Sequence, residues 1–204
     1  MAVRGRPRAF DPDLALRHAM EVFWEHGYEG ASMTELTRAM GINSPSLYAT
    51  FGGKEQLFKS AVELYGSDVG AITFRALDGR STAREAISAM LLDNVTAFTE
   101  PGHPRGCMVV LAANNCTPQN DSVRQYLAGL RGQVLAAIKR RLDEGVTAGE
   151  LPADTDTASL ALFYATVHSG LSIQARDGHS RKRLQAAAES AMAAWDALTT
   201  SRRS

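Results

Sequence analysis

The sequence predicts an all-α protein, in which a small head of three helices precedes a larger helical body, with about nine helices in all. Three observations favour this class. Apolar residues recur at three- and four-residue spacing, helix-capping residues precede these segments, and no alternating strand pattern occurs. With 204 residues, 45% of them hydrophobic, the chain can bury a sizeable core.

The chain begins with a basic arm and a clearly marked first helix. Residues 1–10 hold no acid and three arginines, which predicts a flexible basic arm. These arginines are Arg4, Arg6 and Arg8. Asp11 is typical of an N-cap and Pro12 of the first helical position, so helix 1 starts here and ends at Gly27.

A helix-turn-helix follows. Ser32 and Glu35 have capping-box spacing, which predicts a second helix to Met40. After a turn at Gly41, Ser44 is expected to cap a short third helix that directs hydroxyl groups outward. A fourth helix begins near Lys54. Gly66 and Gly70 weaken its later part, where we expect the join to the body.

The body is predicted as further helices. A capping box at Thr82 and Glu85 starts one of them, and an uncharged apolar segment, 106–115, predicts a short buried helix. Longer helices are predicted at residues 121–146, 155–175 and 181–198, separated by glycine- or proline-containing turns.

Composition and motifs argue against several functional classes. Acidic and basic residues balance at 22 each, so DNA contacts would rest on a few placed cations and neutral donors. Two cysteines are too few for a disulfide framework or a zinc site, and we predict no metal and no cofactor. No HExxH, P-loop or G-x-S-x-G motif indicates an enzyme. No apolar run is long enough to span a membrane, so we expect a soluble cytoplasmic protein with no membrane partner.

The head carries a specific family resemblance. Residues 40–58, MGINSPSLYATFGGKEQLF, and residues 30–36, GASMTEL, resemble the DNA-binding head of the TetR/AcrR family of transcriptional regulators. This resemblance implies a helix-turn-helix domain at 11–59 and a ligand-binding and dimerisation domain at 60–204. It also implies a homodimer that binds a pseudo-palindromic double-stranded operator and a small-molecule effector.

Carried over residue by residue, the resemblance implies a DNA face on the head. Phosphate contacts are expected from Thr34, Tyr48 and Lys54. The positions expected to face the major groove are Ser44, Pro45, Ser46, Ala49 and Thr50, although the two serines could equally serve only as caps. The third helix has no Arg, Gln, Asn or His after Ser44, so bidentate base readout is nearly absent. Sequence preference would then lean on thymine methyl contacts, DNA shape and the arm in a minor groove.

The resemblance also directs attention to the body. The residues predicted to line a pocket for a mostly hydrophobic effector are Met90, Asn94, Phe98, Cys107, Met108, Asn115, Tyr126, Phe163, Tyr164 and His168. The predicted dimer interface contains Leu160, Phe163, Val167 and Trp195. Each of these side chains could instead be an ordinary core residue.

Two alternatives remain open beside the ligand-responsive repressor. Cys107 follows Arg105 at a predicted helix start, where a lowered thiol pKa would suit a redox- or electrophile-sensing repressor. A buried, inert Cys107 is the simpler interpretation. The weak set of base-reading side chains on the third helix would also fit a helical binding module that no longer recognises DNA specifically.

Overall fold

The computed structural model describes residues 10–113 and 115–200, and all regular structure in these ranges is helical, which confirms the predicted all-α class. The basic arm, with Arg4, Arg6 and Arg8, lies outside the described residues. The first helices are α1 (Pro12–Gly30), α2 (Met33–Met40), α3 (Ser44–Phe51) and α4 (Lys54–Ser67). The remaining helices are α5 (Ile72–Asp78), α6 (Ala83–Thr99), α7 (Met108–Leu111), α8 (Asp121–Thr147), α9 (Thr157–Arg176), α10 (Arg181–Ala193) and α11 (Trp195–Thr199).

Side-chain caps fix the start of each head helix. Asp11 caps α1 by accepting the backbone N–H of Asp13 at 2.9 Å, and Ser32 caps α2 in the same way. The prediction that Ser44 caps α3 is wrong, because the Asn43 side chain accepts the N–H of Ser46 at 2.9 Å. Asn and Ser are equally good caps, so two adjacent candidates could not be ranked from sequence.

Aromatic packing between α1 and α4 stabilises the head. The Phe58 ring meets Phe23 edge-on at 5.0 Å between centroids and Tyr28 at 5.2 Å. Leu36 of α2 and Leu47 of α3 are fully buried in the same core. Helices of eight residues are marginal alone, so α2 and α3 depend on this packing.

The body differs from the sequence prediction at three places. Where a join between domains was expected, α5 forms and buries Thr73, Ala76 and Leu77. The apolar segment predicted as a helix over 106–115 is helical only at Met108–Leu111, and the last predicted helix divides into α10 and α11 at Ala194. Apolar residues indicate which parts of the chain are buried. A buried segment without helical structure is as apolar as a buried helix, so this pattern alone does not separate the two.

The two parts of the chain share one hydrophobic core. The predicted domain boundary at 59/60 falls inside α4, which runs without interruption from the head into the body. The core cluster includes Leu47 of the head and Tyr164 of the body. The boundary therefore stays a prediction.

None of the helices in the described ranges is long and apolar enough to cross a membrane.

Candidate functional site

The outward face of α3 carries the side chains predicted to meet the major groove. The residues at least partly exposed there are Ser44, Pro45, Ser46, Tyr48, Ala49 and Thr50. Tyr48 projects furthest, with 57% of its surface exposed, while Leu47 is fully buried on the opposite side. This face carries hydroxyl and methyl groups and no ionisable group other than the Tyr48 phenol.

Two consecutive glycines shape the turn beneath Tyr48. Gly52 and Gly53 have φ values of +77° and +126°, which side chains other than glycine adopt at a cost. A Cβ on Gly53 would lie 3.4 Å from Cε1 of Tyr48, so the tyrosine ring rests directly against this glycine. The turn therefore supports the Tyr48 ring and starts α4 at Lys54.

The other predicted phosphate ligands lie at helix starts. Lys54 is partly buried, and its Nζ lies 4.5 Å from the centroid of the Tyr28 ring. Burial lowers the Lys54 pKa. Thr34 is exposed in the first turn of α2, where free N–H groups and the helix dipole favour an anion. Phosphate contacts by Thr34, Tyr48 and Lys54 stay predictions.

The body contains a cavity of about 660 Å³, within the size range of small-molecule sites. Side chains from α4, α5, α6, α8 and α9 line it, together with the segment 107–110. Most of the wall is hydrocarbon, from residues such as Val62, Val110, Leu130 and Val134. An apolar wall of this kind suits a mostly hydrophobic occupant.

Four of the ten residues predicted for the ligand pocket line this cavity. They are Asn94, Cys107, Tyr126 and His168. The other six lie elsewhere: Met90, Phe98, Met108 and Tyr164 are buried in the surrounding core, while Phe163 and Asn115 are exposed. Val62 and Arg131 line the cavity but were missed. No local pattern separates a cavity wall from filled core, because the cavity exists only where several helices fail to fill the space between them.

Several polar groups in the cavity wall have partners within the protein. The Asn94 amide donates to the carbonyl of Met90 at 2.7 Å, and its oxygen accepts the Thr73 hydroxyl at 3.1 Å. Arg131 donates to the carbonyl of Val109 at 2.9 Å. His168 differs: its Nε2 is buried and has no hydrogen-bond partner among the described residues.

Cys107 faces the cavity as a buried, protonated thiol. The prediction that the α7 start and Arg105 lower its pKa is wrong, because burial raises the Cys107 pKa more than a hydrogen bond with Tyr65 lowers it. Arg105 is engaged elsewhere, donating to the carbonyl of Ala175 at 2.8 Å. A four-residue α7 also offers little dipole. The structure does not favour Cys107 as an activated nucleophile.

The segment 106–112 joins the cavity to the head. The N–H of Tyr28 donates to the carbonyl of Ala112 at 2.7 Å, and the Trp24 indole donates to that of Gly106 at 3.1 Å. Gly27, with φ +72°, allows this approach, since a Cβ there would lie 3.1 Å from the Ala112 oxygen. Because Cys107, Val109 and Val110 of this segment line the cavity, the cavity wall directly contacts α1.

Arg176, the last residue of α9, fixes the same junction from the body. Its guanidinium donates to three backbone carbonyls, those of Trp24 at 2.7 Å, Glu25 at 2.9 Å and Arg105 at 2.8 Å. Hydrogen bonds from a charged donor are stronger than neutral ones. Sequence reasoning missed this role, because Arg176 precedes an ordinary helix-ending turn and its partners are remote in sequence.

Only two of the four residues predicted for the dimer interface reach the surface. Phe163 is exposed, and Val167 lines a shallow groove between α9 and α10 that Gly170 also lines. Leu160 and Trp195 are each 4% exposed, and Trp195 packs against the Tyr164 ring at 5.8 Å. These two side chains therefore pack in the core of the single chain, and their part in a dimer interface stays a prediction.

Two family descriptions match the two parts of the chain. The model described as "Bacterial regulatory proteins, tetR family" matches residues 15–61, and that described as "Tetracyclin repressor-like, C-terminal domain" matches residues 82–192. The chain belongs to the TetR family. It is accordingly a regulator and not an enzyme.

Among its TetR-family relatives, the chain is similar to two Escherichia coli K12 proteins. The HTH-type transcriptional repressor ComR is 33% identical over 96% of this chain and 93% of its own length. The HTH-type transcriptional repressor BdcR is 34% identical over 91% of this chain and 89% of its own length. A cysteine mutant of the TetR-family regulator CifR, solved with 26-bp double-strand operator DNA, is 49% identical, with a TM-score of 0.91. That match covers 93% of this chain and all of the CifR chain.

Proposed function

We propose that this protein is a ligand-responsive transcriptional repressor. It binds a pseudo-palindromic operator as a homodimer and leaves the operator when a small, mostly hydrophobic molecule occupies the body cavity. The names of ComR and BdcR support repression, and the operator DNA in the CifR structure supports DNA binding by this fold. Operator binding would place the protein in the cytoplasm. The units proposed are a DNA-binding domain at 11–59 and a ligand-binding and dimerisation domain at 60–204.

DNA recognition is assigned to α3 and its neighbours. Tyr48, Lys54 and Thr34 would bind phosphates and orient the head. The remaining outward side chains of α3 would lie in the major groove, where Ala49 and the Thr50 methyl can contact thymine methyl groups. Because this helix lacks strong base readers, DNA shape and the basic arm would share in sequence preference.

Dimerisation is assigned to the exposed side of α9 and α10. Phe163 and Val167 lie one turn apart on α9, and Gly170 follows at the next turn. Together with the groove beside α10 they form an apolar surface that a second copy could cover. A two-fold dimer would have to place its two α3 helices about 34–36 Å apart to occupy successive major grooves.

The observation that carries ligand responsiveness is the position of the segment 106–112. This one segment lines the cavity and also binds the C-terminal end of α1 through Gly106 and Ala112. An occupant that displaced it would therefore alter the position of the head. Such a coupling is reciprocal, so DNA binding would change ligand affinity by the same factor.

Selection of random DNA duplexes on the full-length protein tests this proposal. We expect enrichment of a palindrome whose half-sites fit two recognition helices about one DNA turn apart. The matched control is Tyr48→Glu, which places a carboxylate beside a phosphate on an exposed position and should enrich nothing. Failure of the unmodified protein to enrich any palindrome would overturn the repressor proposal in favour of a binding module.

A further inference from the structure

The most informative feature of the cavity is the unpaired nitrogen of His168. The ring is 5% exposed, lines the cavity from α9, and lies edge-on to Phe98 at 5.4 Å between centroids. Its Nε2 has no hydrogen-bond partner within residues 10–113 and 115–200. Buried polar atoms are nearly always paired, because burial without a partner is costly. A bound molecule that formed a hydrogen bond with this nitrogen would remove that cost.

Three polar side chains of the same cavity differ from His168 because each has a partner. Thr166, two residues earlier on α9, donates its hydroxyl to the carbonyl of Leu162 at 2.8 Å. Asn94 and Arg131 are also hydrogen-bonded to other protein groups. A polar group on an incoming molecule thus finds these three side chains engaged, whereas Nε2 of His168 is buried without a partner.

The chemistry of the imidazole limits what that partner can be. Burial lowers the His168 pKa to about 4, so the ring is neutral near pH 7 and attracts no anion. The Nε2 of a neutral ring donates or accepts according to its tautomer, and a hydroxyl group can match either. A carboxylate can only accept, and it would bring a charge into a hydrocarbon-lined space.

We propose that the cavity binds an uncharged, mostly hydrocarbon molecule whose hydroxyl group forms a hydrogen bond with Nε2 of His168. This inference rests on the proposed function, since it names the chemical class of the effector. Neighbouring atoms cover Nε2, so the ring would turn to meet the hydroxyl. Ser172, one turn along α9, accepts the N–H of Cys107 at 2.8 Å, which places the movement next to the segment 106–112.

Three small probes of similar shape test the proposal without DNA. Benzyl alcohol carries the hydroxyl, ethylbenzene replaces it with a methyl group, and phenylacetate replaces it with a charged carboxylate. Binding to the full-length protein at pH 7 is followed by the ¹⁵N signals of its histidine rings. We expect benzyl alcohol to shift the Nε2 signal of His168, ethylbenzene to leave it nearly unchanged, and phenylacetate to bind more weakly than benzyl alcohol.

The variant His168→Phe supplies the second half of the test. It should weaken benzyl alcohol binding about tenfold and ethylbenzene binding less than about threefold, because only the alcohol loses a hydrogen bond. It should also raise the Tm by a few degrees, since an unpaired buried nitrogen is removed. The control Thr147→Val removes a hydroxyl that is already paired, at an exposed position of α8 outside the cavity, and should alter neither affinity.

Several outcomes would overturn the proposal. These are no binding by any probe, an unshifted His168 signal with benzyl alcohol, tighter binding of phenylacetate through Arg131, and a lower Tm for His168→Phe. The last would mean that His168 already has a structural partner. A failed DNA selection would overturn the repressor proposal and leave these binding results standing, so the two failures are distinguishable.

Discussion

The head and the body present their functional groups in opposite ways. The head exposes one continuous stretch of eight residues, α3, whose polar side chains point outward while Leu47 anchors it in the head core. The body hides its most distinctive group, the Nε2 of His168, inside a cavity built by several helices. The difference is one between a surface of adjacent residues on one helix and an interior space enclosed by several helices.

The largest expected effect tests whether the body contributes to DNA binding through dimerisation. Val167→Glu should lower operator affinity about a thousandfold, because a carboxylate buried between two α9 helices would prevent the dimer. Light scattering reports the oligomeric state and fluorescence anisotropy the affinity. Ala136→Glu, at an exposed position of α8, is the control. If Val167→Glu remained dimeric, the dimer surface assigned to α9 and α10 would be wrong.

A second prediction concerns the hidden histidine of the body and acid stability. The His168 pKa lies near 4 in the folded protein against an ordinary 6.5, so the unfolded chain takes up this proton first as pH falls. Through His168, the free energy of unfolding should therefore decrease by roughly 3 kcal/mol as the pH falls from 6.5 to 4. Urea unfolding of the unmodified protein and His168→Phe at several pH values measures this.

The difference between these two proteins isolates His168 from the carboxylates that also titrate. Hydrogen bonds lower the pKa values of Asp121 and Asp156 in the folded protein. Protonation of these carboxylates also lowers the free energy of unfolding as pH falls, and it does so equally in the unmodified protein and in His168→Phe. Parallel pH profiles for His168→Phe and the unmodified protein would show that His168 is not a buried neutral base.

The third prediction concerns the junction between head and body. Arg176→Gln should destabilise the contact with α1 by about 2 kcal/mol, because a charged donor to Trp24 and Glu25 is lost. Amide hydrogen exchange should become faster at residues 24–30. Arg181→Gln, which removes a guanidinium bound to Thr99 and Glu100 within the body, is the matched control and should leave residues 24–30 unchanged. Equal effects of both variants would remove the special role of Arg176.

The smallest effects separate phosphate contacts from base contacts on α3. Tyr48→Phe should weaken binding about fivefold on every operator variant, since only a hydroxyl bound to a phosphate is lost. Thr50→Ala should change affinity less but alter preference at one base pair. Anisotropy measurements on a panel of single-base operator variants distinguish the two patterns. The same pattern for both substitutions would contradict the separate roles.

The two regions also differ in how far the sequence predicts them. The exposed face of α3 could be predicted because it is local: Gly41, the α3 side chains and Gly52 are adjacent in the chain, and their spacing carries the motif. The cavity could not, because side chains such as Val62, Arg131 and His168 come from separate helices. Periodicity identified the buried side of most helices, although Leu162 and Phe163 of α9 are exposed, and it does not reveal where packing leaves a space or which buried nitrogen stays unpaired.

The wrong cap and the burial of two predicted dimer residues have the same origin. Asn43 and Ser44 are both good caps, and only the backbone decides which one is used. Leu160 and Trp195 lie on helices of the right amphipathic pattern, but they face inward to Tyr164 and the core. The partners of Arg176 are about 70 and 150 positions away, which no local pattern encodes.

The central claim is that the cavity wall and the DNA-binding head change together, and hydrogen exchange on binding a selected operator tests it most directly. The full-length protein is labelled with and without the operator, in the absence of any ligand. We predict altered protection at residues 106–112, which line the cavity and hold α1, as well as at α3. Protection changes confined to residues 11–59 would contradict the claim.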